Sequence, residues 1–362
     1  MSVYLTKPVL HLPPEKYAQS DILNFMLSES GLSDMDRRKI QSVYKDSGID
    51  YRNSVFPWFR SGDSKKEFDY SMIETRERME IYSKEASHIG SELVQKIQNG
   101  DHTTQGVDLN SITHVVWVSC TGLTAPGIET TVLKNFSFSK DIQCTAFNFM
   151  GCHGFFHALR FGSLVVQNNP NAKVLILCVE LCTLHFQKNT SEDQILANSL
   201  FADGGAAVLL FGMKPEEPHV KIEKQSQSYF HDSSDQMAWT LGTHGFDMRL
   251  SRKLPVSVSN NIHHTIEKLL EVGGVGLNQL KAWIFHPGGK RILDLLQSAL
   301  HLSEQDLKSS REVLRMNGNV SSASVLFALH HFLENNQNNF SEYGLMLGLG
   351  PGLAMETALF VI

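Results

Sequence analysis

The 362-residue chain is long enough for one large or two average domains, and 42% hydrophobic with 19% charged residues is an ordinary globular balance. A net charge of −6, with no dense basic stretch, argues against nucleic-acid binding. The most apolar run, Val174 to Leu184, is interrupted by Glu180 and too short to span a bilayer, so no membrane role is expected.

In chain order, the N-terminal segment Met1 to Pro8 lacks the basic segment, apolar core and cleavage site of a secretory signal. The first hundred residues read as mostly helical. Met79, Tyr82, Ala86, Ile89, Leu93 and Ile97 step by three and four, which places them on one helical face. From Ile112 the texture changes to short apolar runs separated by turns. His114 to Ser119, Cys144 to Phe149, Lys173 to Glu180 and Ala206 to Phe211 read as buried strands with helical stretches between several of them. That alternation predicts an α/β layered fold. The polar, two-proline stretch Met213 to Pro218 is the expected linker between an N-terminal half, 1–215, and a C-terminal half, 219–362. In the second half Trp283 to Phe285 and Tyr343 to Leu349 read as strands.

The spacing of two helix starts suggests a duplication between the halves, the alternative being a coincidence of two ordinary amphipathic helices. Gly151-Cys152 opens an apolar helix running out at Asn168, and Gly318-Asn319 opens another running out at Asn335, sixteen residues on in both cases. If the halves are related, Cys152 and Asn319 occupy equivalent helix starts and face each other across the junction.

Five cysteines, an odd number, fit neither a disulfide framework nor a Cys-x-x-Cys zinc pair, and no metal site is expected; a reducing cytoplasm suits them. Cys152 follows an apolar run broken at Gly151 and precedes a helix, so helix N-terminal N–H groups would favour its thiolate. A packed core thiol is the alternative, and it is preferred for Cys120, Cys144, Cys178 and Cys182. His153 is poorly placed to reach the Cys152 sulfur, because adjacent helical residues point about 100° apart. His286 stands where the run Trp283-Ile284-Phe285 meets Pro287-Gly288-Gly289, a usual place to expose a reactive side chain. Asn319 is either a helix cap or, beside Gly318, Ser321, Ser322 and Ala323, an amide donor to a developing oxyanion.

Taken together these segments resemble the type III polyketide synthases, the chalcone-synthase-like family of the thiolase superfamily, and a bacterial member rather than a plant one. The resemblance runs through the Gly-Cys turn, Phe201 to Ala207, Trp283 to Gly289, Arg311 to Leu314, Gly318-Asn319 and Gly348-Leu349-Gly350-Pro351-Gly352-Leu353. It implies a five-layered αβαβα thiolase-like fold of two related halves, a homodimer, and an acyltransferase that extends a CoA-linked acyl starter with malonyl-CoA and needs no cofactor. Cys152 falls on the nucleophile, His286 and Asn319 on the catalytic histidine and asparagine. Phe201 falls on a gating phenylalanine and Met248 on a second gate, where a flexible thioether departs from the family's phenylalanine and points to an aliphatic starter. Glu180, Thr121 and Ser321 fall near a polar network that influences cyclisation, Gly350-Pro351-Gly352 on the wall where the chain folds, and Arg38 and Lys45 on a face able to meet CoA phosphates. An alkylpyrone or alkylresorcinol is the expected product type. A ketoacyl-ACP synthase III performing one condensation is the nearest alternative.

Overall fold

A computed structural model describes residues 2–29, 31–56, 59, 73–100, 106–187, 189–216, 219–336 and 342–362. The strands β1 (Val3–Thr6), β2 (Val9–His11) and β3 (Lys16–Ala18) lead into α1 (Gln19–Leu27) and α2 (Asp34–Lys45). After β4 (Tyr51–Asn53) comes the long α3 (Thr75–Asn99), whose buried Tyr82, Ala86, Ile89, Leu93 and Ile97 are the predicted stripe. The alternating region follows as β5 (His114–Ser119), α4 (Ile128–Lys134), β6 (Gln143–Asn148), α5 (Gly154–Asn168), β7 (Lys173–Leu181), α6 (Glu192–Leu200) and β8 (Asp203–Phe211). Of the expected linker, Glu217 and Pro218 lie outside the described residues. The second half runs β9 (His219–Tyr229), the hairpin β10 (Met237–Gly242) and β11 (Gly245–Leu250), then α7 (Leu254–Gly273). It closes with β12 (Leu280–Phe285), α8 (Lys290–Ala299), α9 (Lys308–Asn317), α10 (Ser324–Asn335), β13 (Tyr343–Gly350) and β14 (Ala354–Val361).

Strand alternation decides the layering. In β5, Val116 and Val118 join an inner apolar cluster, whereas Val115 and Trp117 face an outer one. In β12, Ala282 and Ile284 face the same inner cluster and Trp283 and Phe285 a third. The inner cluster also holds Phe155, Phe156 and Leu159 of α5 and Val325, Leu326 and Leu329 of α10, so these two helices lie between the sheet halves. Outside, α3 covers the first half of the sheet, and α7 and α8 cover the second through Val258, Ile262, Leu293 and Leu296. The order is helix, sheet, helix, sheet, helix, which is the expected five-layered α/β architecture.

Two features were not in the sequence reading. The polar strand β9 and the short β1 join the sheet halves into one hydrogen-bonded path, β12-β13-β14-β9-β1-β8-β7-β5-β6, with β2 on β8. Short strands β1 to β4 also stand in a region expected to be mostly helical, because three- and four-residue strands are too brief to show a period. The two central helices share an entry: left-handed Gly151 (φ 70°) begins the 3-10 turn Gly151–His153, and left-handed Gly318 (φ 68°) stands shortly before the 3-10 turn Ser321–Ala323. None of the helices among the described residues is long and apolar enough to cross a membrane.

Candidate active site

β6 delivers the chain to a sharp turn in which Phe149 (φ 61°) and Gly151 (φ 70°) are left-handed. A Cβ on Gly151 would sit 2.5 Å from Cδ of Pro351, so glycine alone lets the loop after β13 press on the cysteine turn. Cys152 emerges there, partly buried. His286 ends β12, its N–H donating to the Leu347 carbonyl at 2.8 Å, and Gly288 N–H bends back to the His286 carbonyl at 2.8 Å.

Asn319 is clamped by backbone to the other half of the molecule. Its N–H donates to the Leu200 carbonyl and its carbonyl accepts from Ala202 N–H, both at 2.9 Å. Its side chain serves as the cap, one of the two readings that the sequence left open. Oδ1 accepts from Ser321 N–H at 2.9 Å and from Ser324 Oγ at 3.4 Å, which caps the turn. Nδ2 is thereby aimed the other way, with a long 3.4 Å contact to the Gly288 carbonyl.

Cys152, His286 and Asn319 line a single cavity of about 320 Å³, together with Phe201, Met248, Thr121, Ser321 and Pro351. A thiol, an imidazole and an outward amide N–H facing one space is a constellation for acyl transfer with stabilisation of an oxyanion.

Comparison with known proteins agrees with this chemistry. Residues 11–215 match the chalcone and stilbene synthase N-terminal domain and residues 221–361 the C-terminal domain. The chain belongs to the chalcone and stilbene synthase family. Type III polyketide synthase B of Arabidopsis thaliana is 31% identical over 69% of this chain and 67% of its own length. The 3,5-dihydroxyphenylacetyl-CoA synthase of Streptomyces toyocaensis is 27% identical over 95% of this chain and 86% of its own. The crystal structure of PKS-I from the brown alga Ectocarpus siliculosus superposes with a TM-score of 0.92 at 24% identity, covering 100% of this chain and 99% of that one, and shows the shared thiolase-like fold. As a type III polyketide synthase homologue the chain is an acyltransferase of the condensing kind, in a family that uses acyl-CoA and malonyl-CoA.

Within this family member, Glu180 does not line the cavity but organises its floor from behind. Its carboxylate accepts from Cys120 N–H at 2.9 Å, Thr121 Oγ1 at 3.0 Å, Cys120 Sγ at 3.4 Å and Ser322 Oγ. Ser321 Oγ lies 3.0 Å from Cys120 Sγ and donates to Cys152 Sγ at 3.6 Å, so the network reaches the nucleophile. Cys120, read from sequence as a core thiol, is buried yet belongs to this network and to the cavity wall.

The charge state at rest differs from the expected thiolate. Burial pushes the Cys152 thiol up to about 11, against the help of hydrogen bonds from Ser321 and Asn319 and with Glu180 opposing the anion. Burial also holds His286 down to about 3. The resting pair is therefore a neutral thiol and a neutral imidazole, because apolar surroundings penalise both charges more than one turn of helix rewards one of them. Burial likewise raises Glu180.

Of the remaining sequence candidates, Pro351 lines the cavity beside Cys152, together with its neighbour Leu349, while Gly350 packs behind against His153 and Gly352 (φ 76°) turns the chain. Arg38 and Lys45 are exposed on α2 and neither lines the cavity, to which α2 and the turn after it contribute Ser42, Val43, Asp46 and Ser47 instead. The cations at the cavity are Arg252, Lys290 and Arg291, which the sequence reading did not single out. It also missed Trp239, which donates from Nε1 to the Cys120 carbonyl at 2.8 Å and forms part of the wall.

Proposed function

We propose that this enzyme loads a CoA-linked aliphatic acyl starter onto Cys152, extends it by repeated decarboxylative condensation with malonyl-CoA, and cyclises the product to an alkylpyrone or alkylresorcinol. The observation that carries this reading is the single cavity shared by Cys152, His286 and Asn319. Since the pair is neutral at rest, the sulfur is activated as it reacts: the thiol proton passes to the His286 imidazole while sulfur attacks the thioester carbonyl. CoA leaves as the thiolate and takes its proton from water, so the transferred proton stays on His286 until the freed Cys152 sulfur recovers it at the end of the round. Malonyl-CoA then places its thioester oxygen against the imidazole N–H of His286 and Nδ2–H of Asn319. Loss of CO2 leaves an enolate whose charge falls on that oxygen, and each donor of this kind is worth about 3–4 kcal/mol. The enolate carbon attacks the acyl-cysteine and releases Cys152 for another round. No step in this scheme draws on a metal or an organic cofactor.

The lining supports the aliphatic starter. Leu196, Met237, Met248, Leu250, Leu254 and Ile292 face the cavity, and flexible thioethers adapt to an alkyl chain. Arg252, Lys290 and Arg291 stand where CoA phosphates would be met, a better-placed set than Arg38 and Lys45. A homodimer is supported by β6, which ends the sheet path with Gln143, Cys144 and Ala146 exposed, an open edge that a second copy would cover. All five cysteines are free, which supports a reducing compartment.

Incubation with malonyl-CoA and a panel of acyl-CoAs, read by product mass, tests the proposal. Ring products from hexanoyl- to lauroyl-CoA, at the mass of the starter plus at least two malonyl units less CO2 and CoA, are expected. A preference for an aromatic starter overturns the aliphatic reading, and release after one condensation overturns iteration in favour of the ketoacyl-synthase-III-like alternative.

A further inference from the structure

Immediately behind the nucleophile, on the side away from the cavity, three lone-pair atoms converge without partners. Close together lie His153 Nδ1, His157 Nε2 and Glu356 Oε1, on three residues whose possible ligand atoms come within 4.8 Å of one another. Each is buried and has no hydrogen-bond partner among the described residues. His153 is 4% exposed and Glu356 is fully buried, so bulk solvent reaches neither. His157 Nε2 is 3.8 Å from Glu356 Oε1, too far for a hydrogen bond. Buried groups left in this way bear their full desolvation cost, and a cluster of them in one place calls for a ligand.

The local fold explains the convergence. His153 closes the 3-10 turn that begins α5 and His157 follows four residues later, the spacing that puts two side chains on one helical face. Their rings meet edge to face with centroids 4.7 Å apart. Gly350 packs over the His153 ring at Nδ1, Cγ and Cε1, where any Cβ would overlap it, and this leaves the in-plane lone pair of Nδ1 open. Glu356 reaches in from β14, and Arg160 holds its Oε2, which turns Oε1 toward the histidines.

We infer that His153, His157 and Glu356 form a binding site for a divalent transition metal, of the zinc class, that ties the start of α5 to β14. Two imidazole nitrogens and one carboxylate oxygen are an established donor set for such ions, and a water completes the shell. The ligand atoms must close to about 3.3 Å apart to sit around zinc at bonds of about 2.0–2.1 Å. Arg160 is the charge that opposes the ion. Its side chain is 33% exposed, so on metal binding it turns out to solvent and leaves Glu356 to the metal. The site is separate from the acyl chemistry, since none of its three residues lines the cavity.

The full-length enzyme, stripped with EDTA, is titrated with zinc chloride by calorimetry and, in parallel, with cobalt(II) in the visible. One equivalent of zinc bound, with a rise in the unfolding midpoint and a cobalt spectrum lacking thiolate charge transfer, is the expected result. Binding survives in Cys152→Ser and weakens at least about tenfold in His157→Gln, whose metal-free unfolding midpoint serves as the folding control. Arg160→Gln binds zinc more tightly than wild type. Absence of stoichiometric zinc, retention of full affinity in His157→Gln, or its loss in Cys152→Ser overturns the assignment. In the last case the catalytic thiol is the ligand.

Discussion

The reactivity of Cys152 is set by a contest between a helix start and burial, and burial wins. A helix N-terminus favours an anion by about 0.3–1 kcal/mol, or about 2 kcal/mol when partly buried. One pKa unit costs 1.36 kcal/mol, and the thiol stands near 11, above its ordinary range. Because the folded thiol is raised, its thiolate fraction grows as pH rises through the neutral range toward about 11. Alkylation of Cys152 by iodoacetamide, followed by peptide mass spectrometry so that exposed Cys144 is counted separately, is therefore expected to climb about tenfold per pH unit between 7 and 10. A plateau below pH 7 would mean that a thiolate–imidazolium pair exists at rest. A neutral resting thiol also keeps the enzyme from reacting with adventitious electrophiles until a thioester and His286 are both in place.

Between residues and the whole molecule, the decisive element is the crossing of the two halves at Asn319. Gly318 is left-handed, and a Cβ there would lie 2.9 Å from the Leu200 carbonyl oxygen and 2.8 Å from Cγ of Arg52. Arg52 cannot give way, because it is buried and its guanidinium donates to the Asn198 and Phe201 carbonyls at 2.8 and 2.6 Å. Gly318→Ala is expected to cost about 2–3 kcal/mol in denaturant unfolding, from the left-handed penalty and the overlap. It should also lower malonyl-CoA decarboxylation about 10²-fold, since a shift of about 1 Å in Asn319 is enough for that. Near-normal decarboxylation in a destabilised variant would show that the clamp holds the fold and not the amide. The sequence marked Gly318 as a helix start and a small neighbour of Asn319; the carbonyl that forbids a side chain comes from α6, more than a hundred residues earlier.

At the scale of the molecule, the proposed iteration makes the end of the cavity the limit on chain length. Trp239 and Met248 are directly paired across the β10–β11 hairpin, and both face the cavity. The Trp239 ring meets His185 and Phe246 edge-on at 5.4 and 5.7 Å, and Phe201 lies 6.4 Å away. Behind it lies a small void lined by Arg52, Thr183, His185, Gln194 and Phe246, which Trp239 and Met248 also border. Trp239→Ala joins that void to the cavity and is expected to shift products by one or two further malonyl units, or to accept longer starters, in the product-mass assay. An unchanged distribution would place the end of the chain elsewhere.

The α/β layering was legible in the chain because buried strands show as short apolar runs and amphipathic helices carry a period of 3.6, whereas the number of layers, five, came from the family resemblance. The entry turns at Gly151 and Gly318 were legible for a similar local reason: glycine before a small-residue helix start is a short-range signal. Met248 was reached through its neighbours in sequence, whereas Trp239 was not, since only the hairpin register puts it opposite. The Glu180 network, the cations at Arg252, Lys290 and Arg291, and the His153–His157–Glu356 cluster are likewise assembled from segments far apart in the chain. Periodicity and local backbone preference act over a few residues and so are written in the sequence. The ionisation of Cys152 and His286 depends on what the whole fold packs around them, and only the tertiary structure decided it.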